Sequence, residues 1–161
     1  MLTSESYVFN PYALTFSGLI LLGILLFHAI YMFLVNRTYR AKAQSLLDAR
    51  HYKSTQIFFL VGAFVLSLAH IVEILILGYA LSWMGLVPDA HRAMVFAGSA
   101  YTTMGFGPDP LPADWDLVTV TMALAGLITV AWTTSVLFGM ATFSHTAHEL
   151  EIKQKRAGTV Q

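Results

Sequence analysis

Ala93-Met94-Val95-Phe96-Ala97-Gly98-Ser99-Ala100-Tyr101 runs directly into Thr102-Thr103-Met104-Gly105-Phe106-Gly107-Pro108-Asp109-Pro110. The nine residues from Ala93 are apolar enough to leave water, yet as a helix they cover only ~14 Å. The hydrocarbon core of a bilayer is ~30 Å thick. A helix that stops halfway and gives way to glycines and prolines predicts a re-entrant loop. Irregular backbone at that depth is tolerated only where it is buried in protein or lines a wet cavity.

On either side lie segments long enough to cross a bilayer, which takes ~20 apolar residues. One spans residues 57–86, interrupted only by His70 and Glu73, and another 117–143 without a formal charge. A third, residues 13–35, is also uncharged and precedes them. It carries no lysine or arginine ahead of its apolar run, so it is expected to remain as an anchor and not to be cleaved as a signal peptide.

The charges order these segments. Arg37, Arg40, Lys42, Arg50 and Lys53 follow the first span, and Lys153, Lys155 and Arg156 follow the last; only Arg92 lies elsewhere. Bases in short loops stay on the cytoplasmic side. Three spans plus a re-entrant loop put both basic stretches inside, whereas a true fourth span would put the last three bases outside. The expected topology is N-terminus outside and C-terminus cytoplasmic, in the cell membrane. Tyr7, Tyr12, Trp83 and Trp115 then fall near the outer interface, where amphipathic rings prefer to sit.

Composition agrees. Of 161 residues, 57% are hydrophobic and 11% charged, against about 25% charged in a soluble domain. Too few charges remain to cover a water-facing surface. Nine acids balance nine bases, so net charge gives no sign of a nucleic-acid partner. The absence of cysteine excludes disulfides and thiol chemistry. No hydrolase or kinase constellation is present, no cofactor is called for, and the expectation is a protein that is not an enzyme.

Thr103-Met104-Gly105-Phe106-Gly107 carries a specific chemistry. Separating potassium from sodium takes a ring of oxygens that replaces the hydration shell. For successive carbonyls to face one axis the backbone must alternate in φ, and glycine takes positive φ at little cost. Gly105 and Gly107 have the required spacing of two. The preceding helix would turn the negative end of its dipole toward a desolvated cation.

Ser99-Ala100-Tyr101-Thr102-Thr103-Met104-Gly105-Phe106-Gly107 resembles the pore-helix end and selectivity filter of the two-transmembrane potassium channel superfamily, in which the filter reads Thr-Val-Gly-Tyr-Gly and is usually followed by Asp. The resemblance covers about residues 56–145; the first span is extra to that module. It implies an all-α membrane fold of three transmembrane helices and a pore helix, a homotetramer around one pore, and potassium held by the carbonyls of Thr103, Met104, Gly105 and Phe106 and the Thr103 hydroxyl. Pro108 stands where the family has Asp, with Asp109 one place late at the outer mouth. Phe106 replaces Tyr, and Val95 and Phe96 occupy positions where many members place tryptophan. These departures favour a weakly selective monovalent cation channel as the variant reading.

The expected layout is an N-terminal helix (1–35), a basic linker (36–55) able to form an interfacial helix, a pore domain (56–145) and a short tail (146–161). Within the pore domain the expectation is an outer helix at 57–86, a pore helix at 91–102, a filter at 103–107 and an inner helix at 116–145. Gly126, nineteen residues after Gly107, is the candidate hinge, its alternative being close helix packing; Gly139 shares that ambiguity. Thr133, Thr134 and Ser135 could face a cavity. Glu73 is the single formal charge in the spans, and an intramembrane acid is a functional candidate by default. With His70 three residues earlier on the same face, it could brace the filter or sense pH. His145 and His148 sit at the inner end.

Two other classes compete. His28 and His70 could ligate a haem in a membrane cytochrome, although their depths along the spans differ by ~10 Å. A non-conducting accessory subunit would form no tetramer of its own.

Overall fold

The computed structural model describes residues 10–105 and 110–158. Four α-helices make up nearly all of them: α1 (Pro11–Asp48), α2 (Tyr52–Trp83), α3 (Ala90–Tyr101) and α4 (Asp116–Gly158), with one 3-10 turn at Ala113–Trp115. Among the described residues α1, α2 and α4 are long and apolar enough to cross a membrane. Their exposed residues include Leu19, Leu22, Phe33, Leu60, Phe64, Val120, Leu127 and Phe138. Water would not tolerate so large an apolar exterior; this is an all-helical membrane protein.

Local chemistry sets the helix ends. Asn10 opens α1, its Oδ1 accepting from the backbone N–H groups of Tyr12 and Ala13 at 2.9 and 3.3 Å, with Pro11 in the first helical position, where a missing N–H costs nothing. Asp89 caps α3 by accepting from the Arg92 N–H at 2.7 Å. Helices α1, α2 and α3 all end in the same closure, in which the chain turns left-handed one residue past the cap. His51 N–H donates to Leu46 and Arg50 N–H to Leu47, Leu86 to Leu81 and Gly85 to Ser82, Met104 to Ser99 and Thr103 to Ala100, all at 2.9–3.0 Å. The left-handed residues are Arg50, Gly85 and Thr103. Only one of the three is glycine.

Within the expected linker at 36–55, α1 runs to Asp48 and α2 begins at Tyr52, with the helix breaking between them. Nothing interrupts the helical pattern until the closure at Arg50, so α1 carries the basic stretch unbroken to Asp48. Likewise α4 does not stop at 145 but continues to Gly158.

The contacts divide the chain into two compact units. The first joins the residues up to Phe27 with His70–Thr129. Its core contains Leu77, Leu81, Ala93, Ala97, Val118, Met122 and Ala125. Small residues let the backbones close up: a Cβ added at Gly78 would lie 2.8 Å from the Cα of Met94. Phe16 meets Trp115 edge-on at 5.8 Å, and Asn10 donates to Asp114 at 2.7 Å.

The second unit joins His28–Ala69 with the residues from Val130 onward. Met32, Tyr39, Ala43, Leu66, Ala69 and Met140 form its core. A buried phenol needs an acceptor, and here helix carbonyls supply it. Tyr39 stacks on Phe58 at 5.7 Å and donates to the Met140 carbonyl at 3.2 Å, while Tyr31 donates to the Val65 carbonyl at 2.7 Å.

The two kinds of glycine contact differ in what must yield. At Gly78 an added Cβ meets the Met94 backbone, whereas at Gly62 it meets the terminal methyl of Met140 at 2.5 Å, the far end of a flexible side chain. Gly78→Ala is expected to destabilise the protein by about 1–3 kcal/mol, and Gly62→Ala by distinctly less, in thermal unfolding of the detergent-solubilised chain.

Candidate functional site

Helix α3 delivers the Thr-x-Gly stretch. Its buried face, Ala93, Ala97, Ser99, Ala100 and Tyr101, sets its direction, and Thr102 ends it. The Thr102 N–H and hydroxyl both donate to the Gly98 carbonyl, at 3.0 and 2.7 Å. Thr103 then takes φ +59° and Gly105 φ +68°, with Met104 between them outside that region. The positive φ anticipated at Gly105 is present. Gly107 lies outside the described residues, as do Phe106 and Asp109. Thr103 also turns left-handed, a strained backbone for a β-branched residue. The two hydrogen bonds of the helix closure hold it. Thr102, Thr103, Met104 and Gly105 are all exposed on the single chain.

Directly before this stretch, the ring of Tyr101 turns into the first unit and is 3% exposed. Its hydroxyl donates to Oε2 of Glu73, lies 2.7 Å from Nδ1 of His70 and 2.5 Å from Oγ1 of Thr129. A phenol has one proton to give and two lone pairs to offer. Tyr101 gives that proton to Glu73 and leaves its lone pairs facing His70 and Thr129. Glu73 is fully buried, and Thr129 also lies within hydrogen-bond reach of the carbonyls of Ala125 and Gly126. His70 Nδ1 stands 3.7 Å from Glu73. The cluster takes Glu73 and His70 from α2, Tyr101 from α3 and Thr129 from α4.

Gly126 belongs to the same corner. A Cβ there would run into the carbonyl oxygen of Tyr101, so the close-packing role is the one its surroundings require. At Gly139 an added Cβ would meet only a guanidinium nitrogen of Arg40, at 3.9 Å. No family model, curated protein or solved structure matches the chain. The arrangement must be read from its own chemistry.

Other sequence candidates separate from this cluster. Thr133 is buried, with Oγ1 3.3 Å from Nε2 of His28, so it does not present its hydroxyl to solvent. Thr134 donates to its own helix, to the Val130 carbonyl at 2.8 Å, and Ser135 is exposed. His145 pairs with Glu149 at 3.6 Å. His148 lies 3.1 Å from Nε2 of Gln56 and 3.8 Å from Glu151. Trp83 and Tyr12 are exposed.

Tyr101 and Thr129 were missed by sequence reasoning. The available signal was the need of Glu73 for a partner: an acid in a span must be hydrogen-bonded or paired. Tyr101 is the one phenol of the short helix.

Two measurements probe this geometry. Tyr101→Phe leaves the Glu73 carboxyl without its phenol partner and is expected to cost about 1–3 kcal/mol. In a double-mutant cycle with Glu73→Gln, thermal unfolding should give a coupling of about 0.5–3 kcal/mol, where independent residues would give none. Separately, Thr103→Gly relieves a left-handed threonine and Thr102→Gly relieves nothing. Unfolding should rank Thr103→Gly the more stable of the two by about 1–2 kcal/mol.

Proposed function

We propose that the chain is the pore-forming subunit of a potassium-selective channel, a homotetramer in which Thr103–Gly107 of four copies lines one conduction path. The observation that carries this reading is the juncture at the end of α3. A 12-residue helix, too short to span, stops at Tyr101 between two helices that are long enough, and the backbone that follows alternates in φ at Thr103 and Gly105. Alternation of that kind lets successive carbonyls address one axis, and carbonyl rings are what a desolvated potassium ion requires.

The remaining features fit this role. One chain cannot close a ring around an ion, and Thr102–Gly105 stand exposed on the single chain, as residues awaiting neighbouring copies would. Tyr101 immediately precedes the ion-binding stretch, so its anchoring to Glu73, His70 and Thr129 braces the filter from behind. In this reading α3 enters and leaves on the outer side, α2 is the outer helix and α4 the inner one. The basic residues of α1 and of the end of α4 then face the cytoplasm. Pro108 in place of an acid after the filter makes a weakly selective pore the second reading.

Purified protein in liposomes tests it. Potassium-preferring flux is expected, with Gly105→Asp abolishing it while the tetramer persists in size measurements. Equal sodium and potassium flux, still abolished by Gly105→Asp, would establish the nonselective variant. A confirmed native tetramer without flux, across lipids and pH, would overturn conduction, and a chain that forms no tetramer and carries no flux would favour an accessory subunit.

A further inference from the structure

Because α1 does not stop where its uncharged stretch ends, it carries a distinct surface past that point. Leu34, Thr38, Ala41 and Ser45 recur at helical spacing and fall within ~60° of one another around the axis. Arg37 and Lys42 stand on the two rims of this strip, each ~40° beyond it. Together the six residues line an open groove of about 560 Å³. The buried residues Met32, Tyr39 and Ala43 lie ~150° away around the helix, so the groove faces out of the protein.

Its charges are uncommitted. Among the described residues neither Arg37 nor Lys42 has an ion-pair or hydrogen-bond partner. The nearby bases differ: Arg40 donates to Asn36 at 3.3 Å, and Arg50 and Lys53 share their groove with the carboxylate of Glu151. The Ser45 hydroxyl is exposed and has no partner among the described residues, whereas Thr38 gives its proton to the Leu34 carbonyl at 2.9 Å. Ala41 leaves space between the two cationic side chains. The strip thus begins on an exposed leucine at the end of a 23-residue uncharged run (13–35) and ends on two free cations and a hydroxyl donor.

We infer that this strip binds the headgroup of an anionic phospholipid, its phosphate between Arg37 and Lys42 and the start of an acyl chain along Leu34. The order of surfaces selects the occupant. A soluble phosphate would gain nothing from Leu34, and a zwitterionic lipid would bring its own cation against Arg37 and Lys42. An anionic lipid matches both ends, and the site assigns a task to α1 that does not depend on the conduction reading.

The test compares full-length protein with the double variants R37Q/K42Q and R50Q/K53Q. Glutamine keeps the helix propensity of the residues it replaces, and circular dichroism checks that all three fold alike. Retention of phosphatidylglycerol against phosphatidylcholine is read by native mass spectrometry. The native chain should prefer phosphatidylglycerol. R37Q/K42Q should lower that preference by roughly thirtyfold, and R50Q/K53Q should leave it near native. Millimolar inorganic phosphate should not displace the lipid. The inference is overturned if the native chain shows no preference, if R37Q/K42Q keeps it, or if R50Q/K53Q loses as much. Displacement by phosphate would also sink it, as would a change of oligomeric state in R37Q/K42Q with lipid preference unchanged, which would make the strip a protein contact.

Discussion

The phenol of Tyr101 holds the first unit to one point. Its single oxygen meets Glu73 and His70 from α2 and Thr129 from α4, and its own carbonyl lies against Gly126. The energetic logic is that of any buried polar group: fully satisfied it specifies one arrangement, and partly satisfied it is costly. An acid at zero exposure in a membrane helix would be hard to sustain alone. With the phenol in place it becomes the reason that α3 sits where it does. Everything from Thr102 onward starts from that position.

The second constraint is how helices end without glycine. Thr103 and Arg50 both adopt left-handed backbone, which costs a side-chain-bearing residue roughly 1–2 kcal/mol. In each case two backbone hydrogen bonds close the preceding helix and hold the residue there. At Thr103 this has a chemical effect beyond termination. The carbonyls of Gly98, Ser99 and Ala100 are occupied by the turn itself, so the negative end of the α3 dipole is partly spent within the chain. The threonine is held in strained geometry by the helix it terminates, which makes that geometry a property of the single chain.

Much of this was legible in the sequence. The three long helices follow from apolar runs, the second interrupted only by His70 and Glu73, and α3 follows from an apolar segment too short to span, ahead of the glycines. Positive φ at Gly105 followed from the spacing of Gly105 and Gly107. The unbroken course of α1 did not emerge, because its basic stretch was read as a change of environment and so as a change of element. A helix does not stop where its polarity changes; it stops where the backbone turns, and Arg50 carries no compositional mark of doing so. The Tyr101 cluster was half visible. Glu73 and His70 stood out as polar groups in an apolar run, but Tyr101 and Thr129 look like ordinary residues of apolar helices. Only contact across helices separates them from the other hydroxyl-bearing side chains.

The Tyr101 corner also bears on how such a chain can change over generations. Replacing Tyr101 alone takes a phenol from a buried acid, and replacing Glu73 alone takes from the phenol the acceptor of its proton. Adding even a methyl at Gly126 pushes against the carbonyl of the same tyrosine. Each single step therefore passes through a less stable protein, although a joint exchange of the cluster for apolar side chains of matching volume need not. Residues 73, 101, 126 and 129 consequently behave as one inherited character. In descendants of this chain they should persist together or disappear together, while the exposed apolar positions around them drift freely among leucine, isoleucine, valine and phenylalanine.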